Sequence, residues 1–297
     1  MSPLYVGPQN SSNKFLGNLS SDPSSGNVEG DMYYNTVGNE LKTYDGSGWR
    51  AVLQQSVVTT NLQVWFDPSK FSSLSNGATA TSNDNCILPS TTWKLYTNGT
   101  ASFVSGTNNQ AIQSSGSSAL AFWTDGTDVT AFDGVDNYTF EFWVYVGTQD
   151  INNWGYLMGK TLFWGANDGG IHIDVSGDKW GAHSSTTPMS VADIAANGWH
   201  HVAYVRNLAD ANCRKFYVDN SILIQDNTGD GDSSHTLNNN CALTVGGASV
   251  GNTSSFTNPS YSPGNGYKYG HARFYNIALS AAQITQNYNA QRAIYGV

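Results

Sequence analysis

The stretch Gly198–Ile224, GWHHVAYVRNLADANCRKFYVDNSILI, decides the fold. From His200 to Arg206, the residues His201, Ala203 and Val205 alternate with His200, Val202 and Tyr204, the period-two pattern of a strand. Asn207–Asn212 is polar and reads as a turn. Arg214–Val218 is a second strand, rich in β-forming residues. Asp219-Asn220 tolerates positive φ at a tight hairpin turn, and Ser221–Ile224 returns. The stretch predicts a three-stranded antiparallel meander with one face available for a core. On such a strand His200 and His201 point to opposite faces, so they do not easily grip one ion together. The expectation is one ring packed in the sandwich and the other hydrogen-bonded at its surface.

These residues also carry a resemblance. Trp199–Ala203 and Tyr217–Asn220 resemble the central signature of laminin-G-like, concanavalin A-like jelly rolls, Trp-His-His-Val-Ala followed by Tyr-Val-Asp-Gly, with Asn220 in place of the glycine. Further motifs follow in family order. NLQVWFDPS (Asn61–Ser69) resembles the opening strand. AFDGVDNYTFEFWVYV (Ala131–Val146) resembles the Phe-Asp-Gly motif and the core strand after it. LTVGG (Leu243–Gly247) and GHARFYNIALSAAQITQNYN (Gly270–Asn289) resemble the closing strands and a final short helix. The resemblance implies an all-β fold: an antiparallel jelly-roll sandwich, concanavalin A-like, over residues 61–297.

Composition agrees with that class. The 297 residues include 31 glycines and 12% aromatics, and Ser, Thr and Asn abound, which favours sheet and turns over helix. Further strands are expected at Thr92–Tyr96, Ala119–Trp123, Tyr156–Lys160 and Gly170–Val175, with short helices near Ser190–Ala196 and over Ala281–Tyr288, the latter capped by Ser280. Only 12% of residues are charged and the net charge is −9, which argues against a basic groove that tracks nucleic acid and against polybasic attachment to a membrane. No apolar run is long enough to predict a membrane span. The opening MSPLYVGPQNSSNKF lacks the basic and apolar blocks of a secretory leader, so synthesis and assembly in a reducing cytosol are expected. Cys86, Cys213 and Cys241 fit neither a disulfide framework nor a zinc site. They read as small buried hydrophobes, with a Cys213–Cys241 bridge as the alternative.

Ahead of the jelly roll, residues 1–27 are polar and predict an extended arm that cannot fold alone. Residues 28–53 predict a compact three-stranded β module, and 54–60 a linker. So small a module has too little core to stand by itself. Its pattern, GDMYYNT (Gly30–Thr36), LKTYDG (Leu41–Gly46) and Trp49-Arg50, resembles a short motif of bacteriophage tail-fibre and other virion proteins, found near attachment or trimerisation regions. An ordinary hairpin extension of the jelly roll is the other reading. The resemblance implies a virion protein, a fibre or surface appendage assembled in the host cytoplasm. Met32, Tyr33, Tyr34, Leu41, Tyr44 and Trp49 would be its assembly interface, facing other virion proteins or copies of itself, with a trimer favoured.

The search for chemistry is mostly negative. Concanavalin A-like glucanases use paired glutamates, whereas this chain has only Glu29, Glu40 and Glu141, the first two outside the jelly roll. The chain is therefore expected not to be an enzyme and to require no cofactor. Calcium is the one candidate ion, because many members of the family bind it at the sandwich rim through Asp, Asn and backbone oxygens. The candidate ligands are Asp133, Asp136 and Asn137, and separately Asp226, Asp230 and Asp232; both sets also read as ordinary turns. Host-surface glycans are the candidate ligand. Trp154, Trp164, Trp180, Tyr261, Tyr267 and Tyr269 lie near polar loops, where a sugar ring could stack on an aromatic face. A lectin-like surface module unrelated to a virion and a polysaccharide-degrading enzyme are the alternatives.

Overall fold

The computed structural model describes residues 14–37, 40–51, 56–115, 119–124, 129–147, 155–160, 169–174, 179–184, 188–190, 194–227, 237, 242–247 and 266–297. The meander forms as its sequence predicts. Gly198–Arg206 pairs antiparallel with Arg214–Val218, which pairs with Ser221–Asp226. Asp219 and Asn220 sit at φ 47° and 68°, the left-handed pair that a two-residue hairpin turn needs.

The meander is one end of a larger sheet. The central strand Tyr138–Val146 pairs with Gly198–Arg206 on one side and with the closing strand Lys268–Tyr275 on the other. The far side of the closing strand is shared by two short partners. The opening strand Leu62–Phe66 pairs with its Ala272–Tyr275 half, and Ile112–Ser114 pairs with Lys268 and Tyr269. Between those partners, Gly270 and His271 face a break in the ladder. Ala101–Phe103 completes this edge.

A second antiparallel sheet lies against the first. Its order is Pro188–Ser190, Lys179–Ser184, Gly169–Asp174, Gly155–Lys160, Leu243–Val245, Leu120–Thr124, Thr92–Thr97 and Thr79–Thr81. The core between the sheets follows from strand alternation. Phe140, Phe142, Val144 and Val146 of the central strand join Trp93, Leu95, Phe122, Leu157 and Val245 of the second sheet in one buried cluster. Each such side chain contributes roughly 1.5–3 kcal/mol by leaving water. Gly246 turns the chain at φ +82°, and a Cβ there would lie 2.5 Å from the Leu120 carbonyl oxygen, so only glycine fits.

The outer face of the first sheet is covered as well. The C-terminal helix, Ala281–Tyr295, opens with a capping box between Ser280 and Gln283 and ends on Gly296 in the left-handed region. It runs two turns beyond the expected Tyr288. Its buried stripe is Ile284, Asn287, Gln291 and Tyr295. Tyr295 stacks on Trp143 of the central strand, centroids 4.5 Å apart. Gly270 admits the Tyr295 ring, since a Cβ on it would come within 2.4 Å of the hydroxyl. No helix forms at residues 188–190 or 194–197: Pro188–Ser190 is an edge strand, drawn into the second sheet by pairing with Gly181–His183.

Residues 14–51 make a separate four-stranded sheet. The three expected strands are Met32–Asn35, Glu40–Tyr44 and Trp49–Ala51. A fourth, Phe15–Leu19, comes from the segment expected to be an extended arm and pairs parallel with Met32–Asn35. The backbone groups of the arm thus find partners in a ladder, as backbone taken out of water must.

Candidate functional site

The break in the closing strand makes the site. Leu62–Phe66 ends at Asp67, and Gln110 lies just before Ile112–Ser114, so both border the gap at His271. Together with the C-terminal helix they wall a groove of about 390 Å³, lined by Ser56, Val57, Trp65, Asp67, Asn83, Asn85, Gln110, His271, Ala290, Gln291 and Ile294. That volume is within the roughly 300–1,000 Å³ of small-ligand pockets. Four of the lining side chains are amides, one is a hydroxyl, one a carboxylate and one an imidazole. None is Lys or Arg.

The floor is held by hydrogen bonds. Asp67 caps the short turn Pro68–Lys70: its Oδ1 accepts from the Ser69 amide (3.0 Å) and hydroxyl (2.6 Å). Its Oδ2 accepts from Asn83 Nδ2 at 2.7 Å. His271 Nε2 lies 3.6 Å from Asp67 Oδ1, and its Nδ1 is 2.8 Å from the Tyr295 hydroxyl. That hydroxyl also accepts the His271 backbone N–H (2.9 Å), the group the broken ladder leaves without a strand partner, and lies 3.1 Å from the Gln110 carbonyl. Burial pushes the His271 imidazole below its ordinary value against the pull of Asp67. Burial acts the other way on Asp67. The His271 contact at 3.6 Å and the hydrogen bonds from Ser69 and Asn83 outweigh it and hold the carboxyl well below the usual carboxylate range. The groove therefore presents one ionised carboxylate, with His271 beside it, among amide and hydroxyl donors and acceptors and without Lys or Arg.

Behind the floor lies a buried polar network. Arg273 Nε donates to Glu141 Oε1, and its Nη1 donates to Gln291 Oε1. Asn287 Nδ2 donates to the same Glu141 oxygen at 2.8 Å, and Asn287 Oδ1 accepts the Val58 amide at 2.7 Å. His201 Nε2 is 3.4 Å from Glu141 Oε2. Burial alone would raise the Glu141 carboxyl, but the Arg273 charge and the His201 contact bring it down to about 2. The network ties the helix to the sheet and, through Gln291, sets the back wall of the groove. His201 is thus the packed ring of its pair, held between sheet and helix rather than inside the sandwich. His200 is the surface ring, bonded to Asp219 Oδ2 (2.7 Å) and the Ala195 carbonyl (2.9 Å).

The expected glycan contacts lie elsewhere. Trp180, Tyr267 and Tyr269 are buried in the sandwich core, at most 2% exposed, and offer no face to a sugar. This corrects their reading as rim aromatics: inward alternation outweighs their neighbouring polar loops. Trp154, Trp164 and Tyr261 lie outside the described residues.

The expected calcium ligands among the described residues are already engaged. Asp133 Oδ1 meets Lys160 Nζ at 3.0 Å, the Asp136 carbonyl accepts from Arg206, and Asn137 Oδ1 accepts the Leu208 amide at 2.8 Å. Asp226 Oδ1 accepts from Arg214 Nε at 2.7 Å, while Asp230 and Asp232 lie outside the described residues. Among the described residues no three His, Cys, Asp or Glu side chains converge as a metal site. Cys86 and Cys213 are buried, and Cys241 lies outside the described residues. No described helix is long and apolar enough to cross a membrane.

The six expected assembly residues divide between two faces. Tyr33 packs edge-on against Trp49 at 4.8 Å, and Tyr44 lies 5.4 Å from the same ring. Tyr33 also donates to Asp22, which Lys42 meets at 2.8 Å. These three aromatics are the small core of the N-terminal sheet. Met32, Tyr34 and Leu41 occupy its other face and are half-buried.

Residues 124–285 match the family model described as the Concanavalin A-like lectin/glucanases superfamily, more than half of the chain. The chain belongs to this family. Among solved structures it is similar to Trypanosoma rangeli sialidase in complex with 2,3-difluorosialic acid as a covalent intermediate, at TM-score 0.55 and 14% identity, covering 89% of this chain and 45% of that one. It is also similar to the receptor binding domain of botulinum neurotoxin C/D mosaic serotype, at TM-score 0.53 and 11% identity, covering 79% and 52%. The chain thus spans about half the length of these structures. No curated protein matches it. The expectation that the chain is not an enzyme is corrected here. It rested on the scarcity of glutamate, yet the structures that share this fold include a sialidase. At such identity the likeness shows the fold alone, and no activity comes with it.

Sequence reasoning missed Asp67, Asn83, Gln110, His271 and Gln291. The signal that was present is a polar residue interrupting an apolar run: Glu141 in YTFEFW and Arg273 in GHARFY must find each other when both strands are buried.

Proposed function

We propose that this chain is a carbohydrate-binding component of a bacteriophage virion, a fibre or a tail or capsid appendage. The observation that carries the carbohydrate half is the groove at the broken closing strand, where neutral hydrogen-bonding side chains line a pocket of small-ligand size in a lectin-type fold. The virion half rests on the fibre-like motif of residues 28–53 and on its folding as a separate small sheet. In this reading residues 14–51 attach the chain to other virion proteins or to copies of itself, a trimer suiting a fibre. Several copies on one particle turn weak single-site binding into firm adhesion to the host surface.

The test has two arms. Purified particles of the source phage are probed for the chain by mass spectrometry and imaging, where it should appear as a stoichiometric surface component. The full chain, displayed in many copies, is screened on a glycan array, where it should give hits. A chain absent from particles removes the virion half, and a silent array removes the carbohydrate half.

A further inference from the structure

We propose that the groove selects uncharged glycans and rejects sialylated and other acidic ones. This rests on the carbohydrate-binding reading above and names the ligand class within it. Asn83, Asn85, Gln110 and Gln291 each carry an amide, which both donates and accepts, as does a sugar hydroxyl. Asp67 contributes a carboxylate that its Ser69 and Asn83 partners keep ionised, and an ionised carboxylate accepts strongly from hydroxyl donors.

An acidic sugar needs the opposite. Its carboxylate would enter a site with a fixed negative charge and with no Lys or Arg among the lining residues. His271 does not supply the missing cation, because both of its ring nitrogens already face protein partners, Nε2 towards Asp67 and Nδ1 towards the Tyr295 hydroxyl. Arg273 stands behind the wall, engaged with Glu141 and Gln291. The net charge of −9 adds a general repulsion of anions. Bringing an unpaired carboxylate against Asp67 in a half-desolvated groove opposes binding, so selectivity here comes from a repulsive element as much as from attractive ones.

The experiment uses the full chain on an array carrying matched pairs of neutral and sialylated oligosaccharides, together with neutral homopolymer fragments. Hits are read for the wild type and for Asn85→Ala, Gln110→Ala and Asp67→Asn. Asn85 and Gln110 lie at the rim, so these two variants keep the fold. The expected result is binding to neutral glycans only, reduced about tenfold in each alanine variant. In Asp67→Asn, discrimination against the sialylated partner of each pair should shrink. Hits confined to acidic glycans overturn the proposal while leaving the carbohydrate-binding reading in place. Neutral hits that all three variants leave unchanged also overturn it, because the sugar then sits elsewhere. A silent array overturns both.

Discussion

Arg273 and Glu141 lie on neighbouring strands, cross-strand partners with no exposed surface, and the guanidinium Nε donates to the carboxylate beneath the C-terminal helix. A buried pair of this kind adds little when replaced whole by apolar residues, but removing one partner strands a charge. Arg273→Met should therefore cost about 3–5 kcal/mol in urea unfolding, and the double variant Arg273→Met/Glu141→Leu should cost less than the single one. A loss in the double variant equal to the sum of the losses in Arg273→Met and Glu141→Leu would show that the pair is not coupled.

Gly270 and Tyr295 give a second prediction. A Cβ on Gly270 would lie 2.4 Å from the Tyr295 hydroxyl and 2.7 Å from the ring, and the ring cannot yield because it stacks on Trp143. Gly270→Ala should destabilise the fold by about 1–3 kcal/mol through overpacking. Hydrogen exchange should quicken in the last turns of the helix first. An unchanged exchange pattern there would show that the helix end is not held at this point.

The acid limb of stability should belong to Glu141 and Asp67. The folded pKa of Glu141 is about 2, below its ordinary 4.5, and that of Asp67 is also lowered. A depressed carboxyl stabilises the fold above its unfolded value and loses that contribution as pH falls through the folded one. His271, held below its ordinary 6.5, takes up its proton at lower pH in the fold than in the unfolded chain, so stability is lost as pH drops below that value. His200 is raised: burial opposes the shift, and the Asp219 hydrogen bond and charge outweigh it. Its contribution is complete below its unfolded value and fades as pH rises through the folded one. The two histidines oppose each other, so the steep loss should begin below pH 4.5. Glu141→Gln should flatten that limb in urea titrations, by on the order of 3 kcal/mol between pH 5 and 2. An unaltered limb would assign acid sensitivity elsewhere.

The two faces of the N-terminal sheet should separate folding from attachment. Trp49→Ala removes the ring on which Tyr33 and Tyr44 pack and should destabilise this small sheet by about 2–3 kcal/mol. Tyr34→Ala and Leu41→Ser change the other face and should leave the sheet folded while lowering incorporation into particles. Deleting residues 1–53 should abolish incorporation. Normal copy number in the deletion variant would place attachment in the jelly roll.

Most of the sandwich was legible because its strands alternate and its turns carry their own chemistry. Asp219-Asn220, the central strand and the Ser280 cap all stand where local pattern placed them. The groove was not legible, because it arises from a break in pairing between strands far apart in sequence. The helix end was hidden for a related reason: Asn287 and Gln291 are polar and break the apolar stripe, yet both are buried against Glu141 and Arg273. Trp180, Tyr267 and Tyr269 misled in the opposite sense, since nearness to polar loops says nothing about the face a strand residue takes.

The most direct test of the glycan-binding groove is to titrate the isotope-labelled full chain with the best neutral oligosaccharide from the array and follow its amide resonances by NMR. Saturable shifts should cluster at Asn83, Asn85, Gln110, His271 and Gln291. Shifts confined to the second sheet and its loops, with these five unmoved, would contradict it.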